Sequence, residues 1–109
     1  MSTQLPDSIT TFFKVSNGSD VSALSQCFAE GAVVRDEGGL HQGHEAIETW
    51  LRDARRKYAY RVEPLDAVRQ GSIVKVRAKV EGDFPGSPIE LEHVFRLAGN
   101  RIESLEIQG

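Results

Sequence analysis

Apolar and polar positions divide the chain into a helical opening and a longer, strand-rich remainder. Ile9, Phe12, Phe13 and Ser16 recur on one face of a 3.6-residue period, which predicts a helix over residues 6–17. Pro6 suits its first turn and Gly18 its stop. Asp20 is placed to cap a second short helix with Leu24, Cys27 and Phe28 as its buried stripe and Gly31 as its end. Residues 32–36 alternate as a strand, Gly38-Gly39 marks a turn, and residues 40–42 read as a short returning strand. The clearest helix covers residues 44–59, where Ile47, Trp50, Leu51, Ala54 and Tyr58 keep helical spacing.

The remainder reads as strands over residues 61–69, 73–81, 89–98 and 101–107. Pro64 marks the first of these as an edge or bent strand. Val74, Val76, Ala78 and Val80 alternate with Lys75, Arg77, Lys79 and Glu81, as in an antiparallel sheet with one covered face. Helices followed by strands indicate an α+β fold. With no repeat or linker in sight, residues 1–109 read as one domain.

Charge and composition narrow the function. The net charge of −3 provides no basic footprint for nucleic acid. The one basic run, Arg55-Arg56-Lys57, falls at a helix end, where cations suit the dipole. A single cysteine, Cys27, excludes a disulfide framework and fits a reducing compartment. The N-terminus shows no basic segment followed by an apolar one, and no apolar run is long enough for a bilayer. The expectation is a soluble, cytoplasmic domain that binds neither membrane nor nucleic acid.

Two polar residues fall on apolar faces. His93 shares a strand face with Ile89, Leu91, Phe95 and Leu97. Asp36 shares one with Ala32 and Val34, and turns inward if they do. A carboxylate and an imidazole meeting in an apolar cavity form an acid–base site. The alternatives are a strand-end turn former at Asp36 and a satisfied core histidine at His93. Trp50 and Tyr58 fit either a pocket wall or helix packing, and Asp83-Phe84 either a pocket mouth or a plain turn before Pro85-Gly86-Ser87-Pro88. His41, His44 and Asp36 match no metal-ligand spacing, so neither metal nor cofactor is expected.

The order of elements, with Phe12-Phe13, Asp20, Leu24, Phe28-Ala29, Ala32-Val33-Val34-Arg35-Asp36, Gly43-His44-Glu45-Ala46-Ile47, Trp50 and Val94-Phe95-Arg96-Leu97, resembles the nuclear transport factor 2-like superfamily and its SnoaL-like domains. The resemblance spans essentially the whole chain. It implies a cone-shaped fold: three N-terminal helices packed on a strongly bent, mostly antiparallel sheet around a pocket, with homodimers formed through the sheet's other face.

Ketosteroid isomerase, in the same superfamily, implies roles for particular positions. Its general-base aspartate falls on Asp36, its helix-borne tyrosine donor on Phe12, and its protonated carboxyl donor near His93. Retention of the base with altered donors implies a related proton transfer or an aldol-type cyclisation rather than steroid isomerisation. The Asp–Arg–Asp set of limonene epoxide hydrolase finds only Arg77 and Asp83 as nearby candidates. The expected ligand is a small apolar or polyketide-like carbonyl compound, with Asp36 as base, His93 as donor, and Phe12, Trp50, Tyr58, Asp83 and Phe84 shaping the pocket. The competing expectation is a binding or accessory domain without catalysis.

Overall fold

The computed structural model describes residues 5–18 and 20–109. The reading of the N-terminus as lacking a leader falls partly outside them. Helix α1 (Asp7–Ser16) is followed by a 3-10 turn (Val21–Ala23) and the one-turn helix α2 (Leu24–Cys27). Strands β1 (Phe28–Asp36) and β2 (Gly39–Gln42) precede helix α3 (His44–Lys57). Strands β3 (Tyr60–Gln70), β4 (Ile73–Gly82), β5 (Ile89–Ala98) and β6 (Arg101–Gln108) complete the fold. They form one six-stranded sheet in the order β2-β1-β6-β5-β4-β3. All neighbours pair antiparallel except β1 and β6, which run parallel.

Three interruptions in pairing bend the sheet, in β1 before Val33, in β3 at Pro64/Asp66 and in β6 between Ile102 and Ser104. The sheet is curved but not closed. Its inner face carries Val34, Val76, Ala78, Phe95 and Leu105, all buried against Ile9, Phe12 and Phe13 of α1 and Ile47 and Leu51 of α3. Phe12 meets Phe13, Phe28 and Phe95 edge to face, which adds directional packing to area burial. The α+β class, the edge position of β3 and the inward faces of β4 and β5 all match the sequence reading.

Two element ends differ from it. The second helix stops at Cys27, and Phe28 already belongs to β1. Gly31 lies inside that strand at φ +79°, where the β1–β6 register shifts. That bulge breaks the alternation and gives the glycine the look of a helix stop. Helix α3 ends at Lys57, and Tyr58 is extended, so Tyr58 does not continue the stripe of Trp50.

The start of β3 is held from two sides. Asn17, just past α1, donates through Nδ2 to the Val62 carbonyl (2.8 Å) and accepts from the Val62 N–H (2.7 Å). Opposite Tyr60 stands Gly82, where a Cβ would lie 2.2 Å from the Ala59 carbonyl and 2.8 Å from Tyr60 Cα. Backbone cannot yield as a flexible side-chain tip does. Gly82→Ala is therefore expected to destabilise by about 2–3 kcal/mol, read as a lower urea midpoint with unchanged slope.

Candidate functional site

Asp36 ends β1. Alternation sends it to the same face as the buried Ala32 and Val34. A two-residue turn follows, with Glu37 at φ +53° and Gly38 at φ +77°, the left-handed pair of a tight hairpin. The Asp36 side chain turns into the molecule and accepts a hydrogen bond from Trp50 Nε1 at 3.1 Å. Burial raises its carboxyl above the ordinary value. The Trp50 bond opposes that shift, the nearby Glu37 charge adds to it, and His41 opposes it more weakly. The position is thus both a strand end and an inward-facing acid.

His93 lies on β5, 3% exposed, between Phe13 (5.4 Å between ring centres), Phe95 (6.2 Å) and Phe12 (6.3 Å). Its Nδ1 is buried without a hydrogen-bond partner, so one of the two ring nitrogens is left unsatisfied. Burial pushes the imidazole down to about 4, against a smaller pull from the Leu91 backbone, and keeps the ring neutral at pH 7.

Asp36 and His93 line one cavity of about 420 Å³ between α3, α1 and the curved sheet, within the size range of small-molecule sites. Phe12, Trp50, Tyr58 and Phe84 line it as well. Trp50 lies parallel to Phe12 (6.4 Å, 5°), and Tyr58 meets Phe84 edge to face at 5.7 Å.

Asp83 does not line the cavity. Its exposed side chain accepts from the Ala59 N–H (3.0 Å), while its own N–H donates to the Ala59 carbonyl (3.1 Å). Arg77 lies on the outer sheet face, bonded to Asp66 (Nε, 3.0 Å) and Glu90 (3.0 Å), which excludes an Asp36–Arg77–Asp83 site. Cys27 is buried with its thiol pushed up to about 11, a packing residue rather than a nucleophile. Among the described residues no three His, Cys, Asp or Glu side chains cluster to hold a metal ion.

The sequence matches the SnoaL-like domain over residues 9–105. The chain belongs to the SnoaL-like family. A Sinorhizobium meliloti protein described as a candidate polyketide cyclase is 45% identical, with 95% of each chain covered and a TM-score of 0.91. A Catenulispora acidiphila protein with a ketosteroid isomerase-like fold, solved with trimethylamine, is 23% identical (97% of this chain, 87% of that one, TM-score 0.85). TerC, co-crystallised with polyporic acid, is 16% identical (93% and 87%, TM-score 0.79). Among curated proteins no sequence matches significantly. The ketosteroid isomerase-like fold of the Catenulispora acidiphila protein is thus also the fold of this SnoaL-like domain. No helix among the described residues is long and apolar enough to cross a membrane.

Sequence reasoning missed several cavity-lining residues of this SnoaL-like domain, Leu51, Tyr60 and Leu91 among them. Tyr60, the first residue of β3, lines the cavity. The signal was present, since Tyr60 is two positions from the buried Val62 and shares its face. The strand assignment began one residue too late to use it.

Proposed function

We propose that this SnoaL-like domain catalyses proton transfer at a carbon next to a carbonyl group, in an isomerisation or cyclisation of a small apolar or polyketide-like compound. One observation carries the reading: an inward-facing carboxylate and a buried, neutral imidazole with an unsatisfied Nδ1 share one aromatic-lined cavity. Asp36, made more basic by burial, takes the proton. His93, neutral, donates to the oxygen where negative charge develops. Phe12, Trp50, Tyr58 and Phe84 hold the apolar body of the compound and exclude water. No cofactor enters the scheme. The 45% identity to the Sinorhizobium meliloti candidate polyketide cyclase supports the substrate class. The homodimer and a cytoplasmic setting belong to the same proposal. The outer sheet face, with Lys75, Arg77 and Lys79 beside Glu90 and Glu92, would pair through charge as much as apolar contact.

The test is exchange in deuterated water. Enones and 1,3-diketones incubated with the protein should lose α-proton NMR signal faster than in buffer. Equal rates across the panel with and without protein would remove proton transfer as the function.

The trimethylamine-bound neighbour favours a second reading, a binding site without turnover. The carboxylate and aromatic rings of this cavity suit an alkylammonium ion. That reading expects trimethylammonium to raise the melting temperature and Asp36→Asn to abolish the shift. A shift of the same size in the variant would count against it.

A further inference from the structure

The proton-transfer reading leaves the ligand oxygen with His93 as its only named donor. Phe12, which α1 brings to the same cavity, carries no hydroxyl. Tyr60, at the start of β3, lines the same cavity. No hydrogen bond is made by its hydroxyl among the described residues, and that oxygen is not among the sealed, unpartnered polar atoms. The O–H is therefore available to the cavity. Burial keeps the phenol protonated well above neutral pH, with Arg55 opposing and the Asp36 charge adding to the effect. The Asp36 charge is thus felt at Tyr60.

The backbone beneath Tyr60 is unusually constrained. Asp83 grips Ala59 through both its side chain and its N–H. Gly82 lets β4 approach Tyr60 more closely than any side-chain-bearing residue could. Asn17 fixes Val62 two residues on. Three separate contacts within four residues fix the backbone from which the Tyr60 side chain projects, as a site that recognises a particular atom requires.

We infer that Tyr60 is the hydrogen-bond donor to the ligand's oxygen, placed by the Asp83–Ala59 clamp and by Gly82, so that the donor missing from α1 is supplied from β3. The inference rests on the proposed site and names its ligand as an oxygen-bearing ring compound, bound with its hydroxyl or carbonyl between Tyr60 and His93. Asp83 becomes a positioning residue, acting through Ala59.

Trp50 is the sole tryptophan and lines the cavity, so its fluorescence reports occupancy. Para-substituted phenols and matching methylbenzenes are titrated against wild type and Tyr60→Phe, a change that removes one oxygen and keeps the ring. Phenol affinity is expected to fall roughly tenfold to a hundredfold in the variant, with methylbenzene affinity unchanged. Equal phenol affinity in both proteins overturns the inference. So does an equal loss for phenols and methylbenzenes, which would assign Tyr60 to cavity shape, and so does a wild type that binds no phenol. The exchange test is scored separately. Absent exchange with a phenol-selective loss in Tyr60→Phe removes proton transfer but keeps the donor, whereas exchange with unaltered phenol binding does the reverse.

Discussion

Asp36→Asn is expected to lower the α-proton exchange rate by about 10²- to 10⁴-fold without loss of stability. The amide has the size of the carboxylate but not its basicity. Its oxygen can still accept from Trp50 Nε1, so the packing around the indole survives. The stability half of the expectation follows from the direction of the shift. Burial holds the Asp36 carboxyl above its unfolded value, so the ionised group opposes folding at neutral pH. Removing it should leave the urea midpoint at pH 7 equal or higher. The gain should shrink as pH falls through the raised folded value, where wild-type Asp36 becomes neutral. A variant that is inactive and also markedly less stable would show that Asp36 serves the fold rather than the chemistry.

The second large effect concerns His93 and acid. Its folded value is about 4 and its unfolded value 6.5, so the unfolded chain binds the extra proton between them. Stability is then full above about pH 6.5 and declines as pH falls toward 4. The 2.5-unit gap corresponds to about 3 kcal/mol at the bottom of that window. Other groups titrate there too, and Asp36 acts with the opposite sign. The informative quantity is therefore wild type minus His93→Phe, measured by urea unfolding from pH 7.5 to 4.5. The variant fills the cage of Phe12, Phe13 and Phe95 with another apolar ring and removes a buried nitrogen that lacks a partner. Its advantage should widen steadily toward acid. A pH-independent difference would mean that the imidazole is not held neutral by burial.

Much of the architecture was legible because period and face are local properties. The 3.6-residue spacing of Ile47 and Leu51 marked the inner side of α3, and the period-two run from Val74 to Val80 marked the inner face of β4. The same logic carried Asp36 and His93 to the cavity wall, since each shares parity with buried neighbours. The reading failed where local signals compete. Gly31 resembles a helix stop but serves a bulge, because a left-handed glycine suits both. Asp83 was grouped with Phe84 at the cavity mouth because both precede the turn at residues 85–88, but only Phe84 lines the cavity, and the Asp83 side chain is taken up by the Ala59 N–H. The unpartnered nitrogen of His93 and the freedom of the Tyr60 hydroxyl depend on what other strands bring near. No single segment encodes that.

The strand order also bears on how the protein is made. β6, the last of the six strands in chain order, lies between β1 and β5 and forms the sheet's parallel seam. Until it emerges from the ribosome, the growing chain holds a β1–β2 hairpin and a β3–β4–β5 meander with no strand pairing between them. Each would present an unpaired edge and half of the inner apolar face. Closing the seam joins regions near opposite ends of the sequence, a slow kind of contact to form. Nascent chains stalled before Arg101 should therefore be the form most in need of a chaperone. The cavity, which draws Asp36 from one half and His93 and Tyr60 from the other, comes into being at that last step.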